Sequence, residues 1–377
     1  MGKSKVSYKI TLPNTSLVLF AAARIARTSS RMQIRTIQHA VPSKKVTNDD
    51  ILETFRRESE GRLSKPEIDK LEKQVRETLA TAGTEVRYKL NTGEKAIDFV
   101  LAAGRQALAD AKIAPGDVDF LIYTGVGRGW LEPAMANVIQ SELGMPNATC
   151  FDMLDACASW LRGMQIGHSL IQNKTYKCGM IVNCESSLVR SFWSSEIKDA
   201  NDLKHRVAQF TIGEASTATI ITDENPNDDF RFLFKNFGEH YKLCMIPLSN
   251  MADFMPSTPD ARYAEFQFFS LSRDLVVTTV KKIAETYSND PHFRSGCYDI
   301  AFGHEASQKA SEVLVKHIGL PPGVYYSVHP RYGNCVSASV PLGMSLAQKE
   351  GRLRRGDKTL IVIGSAGVSV GLASFTY

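Results

Sequence analysis

Cys157 lies in Phe151-Asp-Met-Leu-Asp-Ala-Cys157-Ala-Ser-Trp160, where an apolar, strand-like run gives way to a helical pattern. A sulfur at that point sits beside the free N–H groups of a helix start. Those groups and the helix dipole favour a thiolate, the form of cysteine that attacks carbonyl carbons. An isolated cysteine is by default a small buried apolar residue. Two later segments weigh against that default. They are Gly303-His304-Glu-Ala-Ser307 and Tyr332-Gly-Asn334-Cys-Val-Ser-Ala-Ser-Val-Pro341.

These residues need elements to hold them. Gln33 to Ala40 alternates like an edge strand, and Thr47-Asn-Asp-Asp50 carries helix-capping chemistry. Residues 51–82 read as charged helix and Ala96 to Ala111 as an amphipathic helix. Val118 to Gly125 is a buried strand, and a helix is expected over about Pro133–Leu143. A strand then runs into Asp155 and a helix from Cys157 to about Gln172. Further strands fall at Lys177–Cys184, Ala215–Thr222, Phe230–Lys235, Tyr298–Gly303, Gly323–Val328, Thr359–Gly364 and Val368 to Phe375. Helices are expected at about Ser270–Tyr287, after His304 to about Ile318, and at Ser337–Lys349. Strands alternating with helices predict an α/β protein with mostly parallel sheets. Each half pairs a strand and a polar turn with a following helix, although the halves share no readable sequence period.

On the helix after Cys157, positions 157, 161, 164, 168 and 171 share one face. Gly163 and Gly167 on it allow another backbone to approach closely. His168, two turns or more beyond the sulfur, reads as a packed structural histidine.

At 43% hydrophobic and 23% charged residues, the 377-residue chain has an ordinary globular composition. Seven cysteines without a CxxC pair argue against a disulfide framework or a zinc site. A reducing compartment, the cytoplasm, is the natural home. Residues 1–31 carry six basic residues and no acid, so removing them from the net charge of +5 leaves −1. The body of the chain therefore does not suggest a nucleic-acid partner. The basic start reads as an appendage first and a transit or signal peptide second. Its apolar run Leu17–Ala23 is too short to span a membrane.

The three segments, in this order and 147 and 30 residues apart, resemble the thiolase superfamily, and within it β-ketoacyl-ACP synthase III. Asp155-Ala-Cys157-Ala is similar to the family's nucleophile turn and Gly213-Glu-Ala215 to its Gly-Asp-Gly-Ala strand. Gly303-His304-Glu-Ala is similar to its His-Gln-Ala segment, and Tyr332-Gly-Asn334…Pro341 to its Tyr-Gly-Asn…Ala-Ser-Val-Pro segment. The resemblance covers about residues 33–377. It implies a five-layered α-β-α-β-α fold of two similar halves, 33–224 carrying the cysteine and 225–377 carrying His and Asn, behind an extension at 1–32.

The chemistry the resemblance implies is a Claisen condensation. Cys157 would take an acyl group from acyl-CoA, and malonyl-ACP or malonyl-CoA would supply the attacking carbanion. His304 and Asn334 would hydrogen-bond the second thioester's oxygen without bringing competing negative charge. The oxyanion hole of the acyl step would use the Cys157 N–H and the loop Gly364-Ser-Ala366-Gly367, where the family usually has three consecutive glycines. No metal or cofactor is implied. Acyl-CoA, the phosphopantetheine of an acyl carrier protein and a second copy of the chain are the implied partners. Fatty-acid, polyketide or other secondary metabolism would be the setting.

Arg128-Gly-Trp-Leu-Glu132-Pro-Ala134 resembles a Leu-Glu-Pro segment of the olefin-pathway branch. That branch joins two fatty acyl chains head to head, and its glutamate enters the neighbouring subunit's site as a base on the α-carbon. The bland alternative is a glutamate capping a helix that begins at Pro133. An ester-forming acyltransferase of the same fold is a close rival, and Asn334 favours carbon–carbon bond formation over it. A papain-like hydrolase also uses Cys, His and Asn, but the α/β alternation and the Tyr-Gly-Asn segment speak against it. A decayed scaffold subunit would lack one of the three residues. Segments 186–212 and 240–272 are the expected tunnel and lid, the second rich in methionine and aromatic residues.

Overall fold

The computed structural model describes residues 32–187, 197–225, 229–259 and 262–377. The basic extension and part of the first expected lid segment lie outside them.

Thirteen strands are described: β1 Met32–Ala40, β2 Lys44–Thr47, β3 Val86–Lys89, β4 Phe120–Tyr123, β5 Thr149–Asp152, β6 Cys178–Glu185, β7 Ala215–Asp223, β8 Arg231–Asn236, β9 Cys244–Met245, β10 Phe269–Ser270, β11 Ile300–Gly303, β12 Lys358–Ser365 and β13 Ser369–Thr376. The first sheet runs β1-β7-β6-β4-β5 and the second β11-β12-β13-β8. Read from the other edge, the second order is β8-β13-β12-β11, and Tyr325 bridges Ala301 of β11 in parallel. The two sheets therefore share one topology. In each, a parallel pair (β4–β6, β11–β12) leads into two antiparallel steps (β6–β7–β1, β12–β13–β8). The internal repeat that the sequence hides is explicit in the pairing. The expected strand at Gly323–Val328 is reduced to that single bridge.

Buried parallel strands must be apolar on both faces, and all four residues of β4 are buried. Helices Ala96–Ala111 and Met135–Glu142 cover the outer face of the first sheet with the Val100, Leu101, Leu121 and Ile139 core. Helices Ser272–Asn289 and Gln308–His317 cover the second with Ile283, Leu314, Leu360 and Leu372. Between the sheets lie helices Ser159–Gln172 and Ser339–Lys349, in a shared core with Trp160, Met164, Phe302, Leu342 and Ile363. The result is the five-layered α-β-α-β-α arrangement.

Local chemistry explains the placement of the Cys helix. A Cβ on Gly163 would lie 2.8 Å from Thr124 Cγ2, and one on Gly167 would lie 2.5 Å from Ile221 Cδ1. The two glycines let the helix lie close on the first sheet. His168 is buried, pairs with Gln172 at 3.0 Å and packs on Phe230 and Phe232. The expected helix at 51–82 is a pair, Asn48–Ser59 and Lys65–Ala82, separated at Gly61 with φ +81°. Thr47 and Asp50 form the expected capping box.

Candidate active site

The Cys157 turn differs from a simple helix start. β5 ends at Asp152, a short 3₁₀ turn spans Ala156–Ala158, and the α-helix begins at Ser159. Ala156 has φ +45°, a left-handed conformation unfavourable for any residue with a Cβ. The matching turn in the second half behaves alike. Val336 has φ +47°, a 3₁₀ turn covers Val336–Ala338, and the helix begins at Ser339 rather than Ser337.

Cys157, His304 and Asn334 come together on one cavity of about 1460 Å³, which Ala366 also lines. The three come from three different segments, the Cys turn, the end of β11 and the Asn turn. Val336 holds two of them. Its C=O accepts from His304 Nδ1 at 3.1 Å, and its N–H donates to Asn334 Oδ1 at 2.9 Å. A carbonyl only accepts, so Nδ1 carries the ring proton. Burial lowers the pKa of His304 to about 4, leaving a neutral ring with its lone pair at Nε2. Asn334 is oriented the opposite way. Its oxygen is taken, so its NH₂ is the group left to donate. The expectation that neutral His304 donates is therefore corrected: as placed, Nε2 accepts.

The thiol also departs from expectation. Burial pushes Cys157 well above the usual thiol range, and nearby Cys244 and Glu185 add to the rise. The Ala366 N–H and the Ser365 hydroxyl oppose it. Desolvation outweighs the helix start, and the resting sulfur is protonated.

Gly367 is the middle residue of the Ala366–Val368 turn that joins β12 to β13, with φ +124°. That φ requires glycine, whereas Ala366 beside it stands against the sulfur.

Glu132 does not line the cavity of its own chain; Arg128, Trp130 and Leu131 do. It is exposed. Nor does it cap the following helix. That helix begins at Met135, and the Asp152 carboxylate accepts from the N–H groups of Met135 at 2.9 Å and Ala136 at 3.0 Å. The capping alternative is overturned because β5 already supplies the acid. Of the expected lid residues, Met245, Phe266 and Phe268 line the cavity with Leu248 and Val276.

Sequence reasoning missed Glu185. This carboxyl closes β6, is fully buried, and accepts from Val126 N at 3.1 Å, Gly127 N at 3.4 Å and the Ser337 hydroxyl. Ser337 in turn accepts from Asn183 Nδ2 at 2.8 Å. An acid at the end of a mostly apolar strand was the available signal. Burial raises its pKa to about 7.

Residues 293–377 match the family described as 3-oxoacyl-[acyl-carrier-protein (ACP)] synthase III C terminal. The β-ketoacyl-[acyl-carrier-protein] synthase III of Symbiobacterium thermophilum is 24% identical over 281 residues, 73% of this chain and 81% of that protein. The Clostridium acetobutylicum synthase III is 25% identical over 334 residues, 87% of this chain and 92% of that protein. An acyl-CoA:acyl-CoA alkyltransferase of Xanthomonas campestris pv. campestris is 23% identical over 307 residues, 78% of this chain and 86% of that protein. A crystal structure of Xanthomonas campestris OleA superposes with a TM-score of 0.78 at 21% identity, covering 92% of this chain and 98% of that one. Fold and comparisons together support a thiolase-superfamily condensing enzyme. Within that class the chain is β-ketoacyl synthase III-like, and it is an acyltransferase.

Proposed function

We propose that the protein forms a carbon–carbon bond by Claisen condensation through an acyl-Cys157 intermediate. The observation that carries this reading is the convergence of Cys157, His304 and Asn334 on one cavity, with the last two oriented oppositely by Val336. In the loading step, His304 Nε2 takes the thiol proton as the sulfur attacks the acyl-CoA carbonyl. The Cys157 and Ala366 N–H groups stabilise the tetrahedral oxyanion. Expulsion of the CoA thiolate breaks the old C–S bond, and that thiolate recovers the proton. In the condensing step, Asn334 Nδ2 donates to the enolate oxygen of the second thioester. The carbanion then attacks the acyl-cysteine and releases the Cys157 sulfur.

The principal reading takes the carbanion from malonyl-ACP or malonyl-CoA by loss of CO₂. A second reading, head-to-head condensation of two acyl-CoAs, rests on Glu132. Its carboxylate has no partner among the described residues and no capping duty, and it is exposed on a loop whose neighbours line the cavity. In a homodimer it would serve the other subunit's site. Among the relatives, the alkyltransferase's name states acyl-CoA as both substrates, and one OleA structure contains lauric acid and lauroyl-CoA. Seven free thiols suit the cytoplasm. No helix among the described residues is long and apolar enough to cross a membrane.

Intact-protein mass spectrometry with a panel of acyl-CoAs, followed by product analysis with and without malonyl thioester, tests both readings. The expected result is an acyl adduct on Cys157 and a β-keto product only when malonyl thioester is present, retained within a small factor by Glu132→Ala. Product from acyl-CoA alone, lost in Glu132→Ala by about 10²–10⁴-fold, would establish the second reading instead.

A further inference from the structure

The chemistry above leaves Ser365 without a part, although it stands beside the reacting sulfur. It ends β12, is 2% exposed, and lines the cavity with Cys157. Its Oγ donates to Asp155 O at 3.0 Å and accepts from Ala158 N at 3.3 Å. The two contacts straddle Cys157 in sequence, so the hydroxyl spans the nucleophile turn. Glycine, the residue the family usually has in this loop, would bring no hydroxyl here.

We propose that Ser365 is a further catalytic residue whose hydroxyl turns from Asp155 O to the Cys157 sulfur as negative charge develops there, a reading that rests on Cys157 as the acyl-carrying nucleophile.

The turn leaves nothing orphaned. Asp155 O also accepts from Ala158 N at 2.9 Å, so it keeps a partner when the hydroxyl leaves. Ala158 N is shared between Asp155 O and Ser365 Oγ and keeps the first. A rotating hydroxyl therefore gains a charge-assisted bond for little cost elsewhere. No proton is transferred by Ser365 itself. The thiol proton goes to the cavity base, and the hydroxyl keeps its own.

The need for such a donor follows from the surroundings. Cys157 faces Glu185 from β6 and Cys244 from β9, both of which disfavour a thiolate. His304 approaches from the end of β11 and is neutral. Asp155, in the Cys turn itself, is bound to Arg162 Nε at 3.1 Å. The donors opposing burial are the Ala366 N–H and the Ser365 hydroxyl, both supplied by the same loop.

The experiment is the pH dependence of iodoacetamide alkylation of Cys157, mapped by peptide mass spectrometry, in wild type, Ser365→Ala and Ser365→Thr. Losing a hydrogen bond to a charged sulfur should slow alkylation of Ser365→Ala by about 10- to 100-fold at fixed pH and move its midpoint upward. Ser365→Thr should recover much of the loss, and acyl loading from acyl-CoA should follow the same order. Equal thermal midpoints would show that all three variants fold alike. Superimposable alkylation profiles for wild type and Ser365→Ala would overturn the proposal. An acyl adduct mapped to another residue in wild type would remove the nucleophile, and the proposal with it.

Discussion

The Cys turn and the Asn turn are the same backbone device used for opposite purposes. Each places a non-glycine residue at positive φ, Ala156 at +45° and Val336 at +47°, as the first residue of a 3₁₀ turn that runs into a helix beginning with serine at 159 or 339. The next position is Cys157 in one and Ser337 in the other. Cys157 faces the cavity. Ser337 turns inward, donates to Glu185 and accepts from Asn183. In the first turn the strained residue presents Cys157, the proposed nucleophile. In the second its own N–H and C=O hold the Asn334 amide and the His304 imidazole. The repeat supplied two copies of one turn, and only the side chains after it assign the chemistry.

The largest expected difference between the turns lies at these two positions. Cys157→Ser should abolish the acyl adduct in intact-mass measurements, while Cys150→Ser should not. Ser337→Ala should keep the adduct but leave Asn183 and Glu185 short of a buried partner. That loss should cost about 1–3 kcal/mol in denaturant unfolding. An adduct persisting on Cys157→Ser would end the assignment of the first turn.

Next come the two groups hung on Val336. Asn334→Ala should load normally and lose about 10²–10³-fold in condensation, the usual cost of an oxyanion donor. His304→Ala should slow loading as well, because the proposed mechanism makes Nε2 the proton acceptor for the thiol. Single-turnover loading separates the two. If His304→Ala loaded at the wild-type rate, His304 would act with Asn334 in the second step alone.

The layers were legible because their causes are local. Capping at Thr47, the apolar β4 and the glycine face of the Cys helix each follow from a few neighbouring residues. The convergence of Cys157, His304 and Asn334 on one cavity was legible through their motifs. What escaped depends on residues distant in sequence. The role of Glu132 as a cap was mistaken because Asp152, twenty residues on, takes the helix N–H groups. The thiol's protonation was mistaken because Glu185 and Cys244 reach it from other strands and burial dominates. His304's tautomer depends on the carbonyl of Val336, which no sequence period announces.

Glu185 sharpens the comparison through pH. Its folded-state pKa of about 7 lies above the usual 4.5 of an exposed glutamate. Between these values the folded protein holds a proton that the unfolded chain releases. Its contribution is therefore intact below the unfolded value and is lost as pH rises through 7, a change of about 3 kcal/mol. His304 and His329, both lowered to about 4, work in the opposite direction. The wild-type curve mixes these effects, so the difference between Glu185→Gln and wild type is the informative quantity. Relative to wild type, the variant should gain stability steadily from pH 4.5 to 7.5 in urea titrations. A difference flat with pH would mean that Glu185 stays ionised, and that the Asn turn is anchored by charge.

The smallest effect concerns the strained residues themselves. Glycine reaches φ near +45° without the Cβ clash, which costs about 1–2 kcal/mol. It also loses about 0.5–1 kcal/mol of chain entropy on folding. Ala156→Gly should therefore change stability by about 1 kcal/mol or less, and acyl loading should stay near wild type because the Ser365 hydroxyl still ties the turn at Asp155 O and Ala158 N, on either side of Cys157. Val336→Gly relieves a β-branched residue, yet the same φ is what aims its N–H and C=O at Asn334 and His304. Freed from Cβ, that peptide can rotate. Condensation should then fall by more than loading while the thermal midpoint holds or rises. Strain stored at a functional turn shows itself in this split between stability and rate. A Val336→Gly variant that condensed as fast as wild type would show that the His304 and Asn334 side chains are aimed by their own segments, and that the likeness of the two turns is only a relic of the repeat.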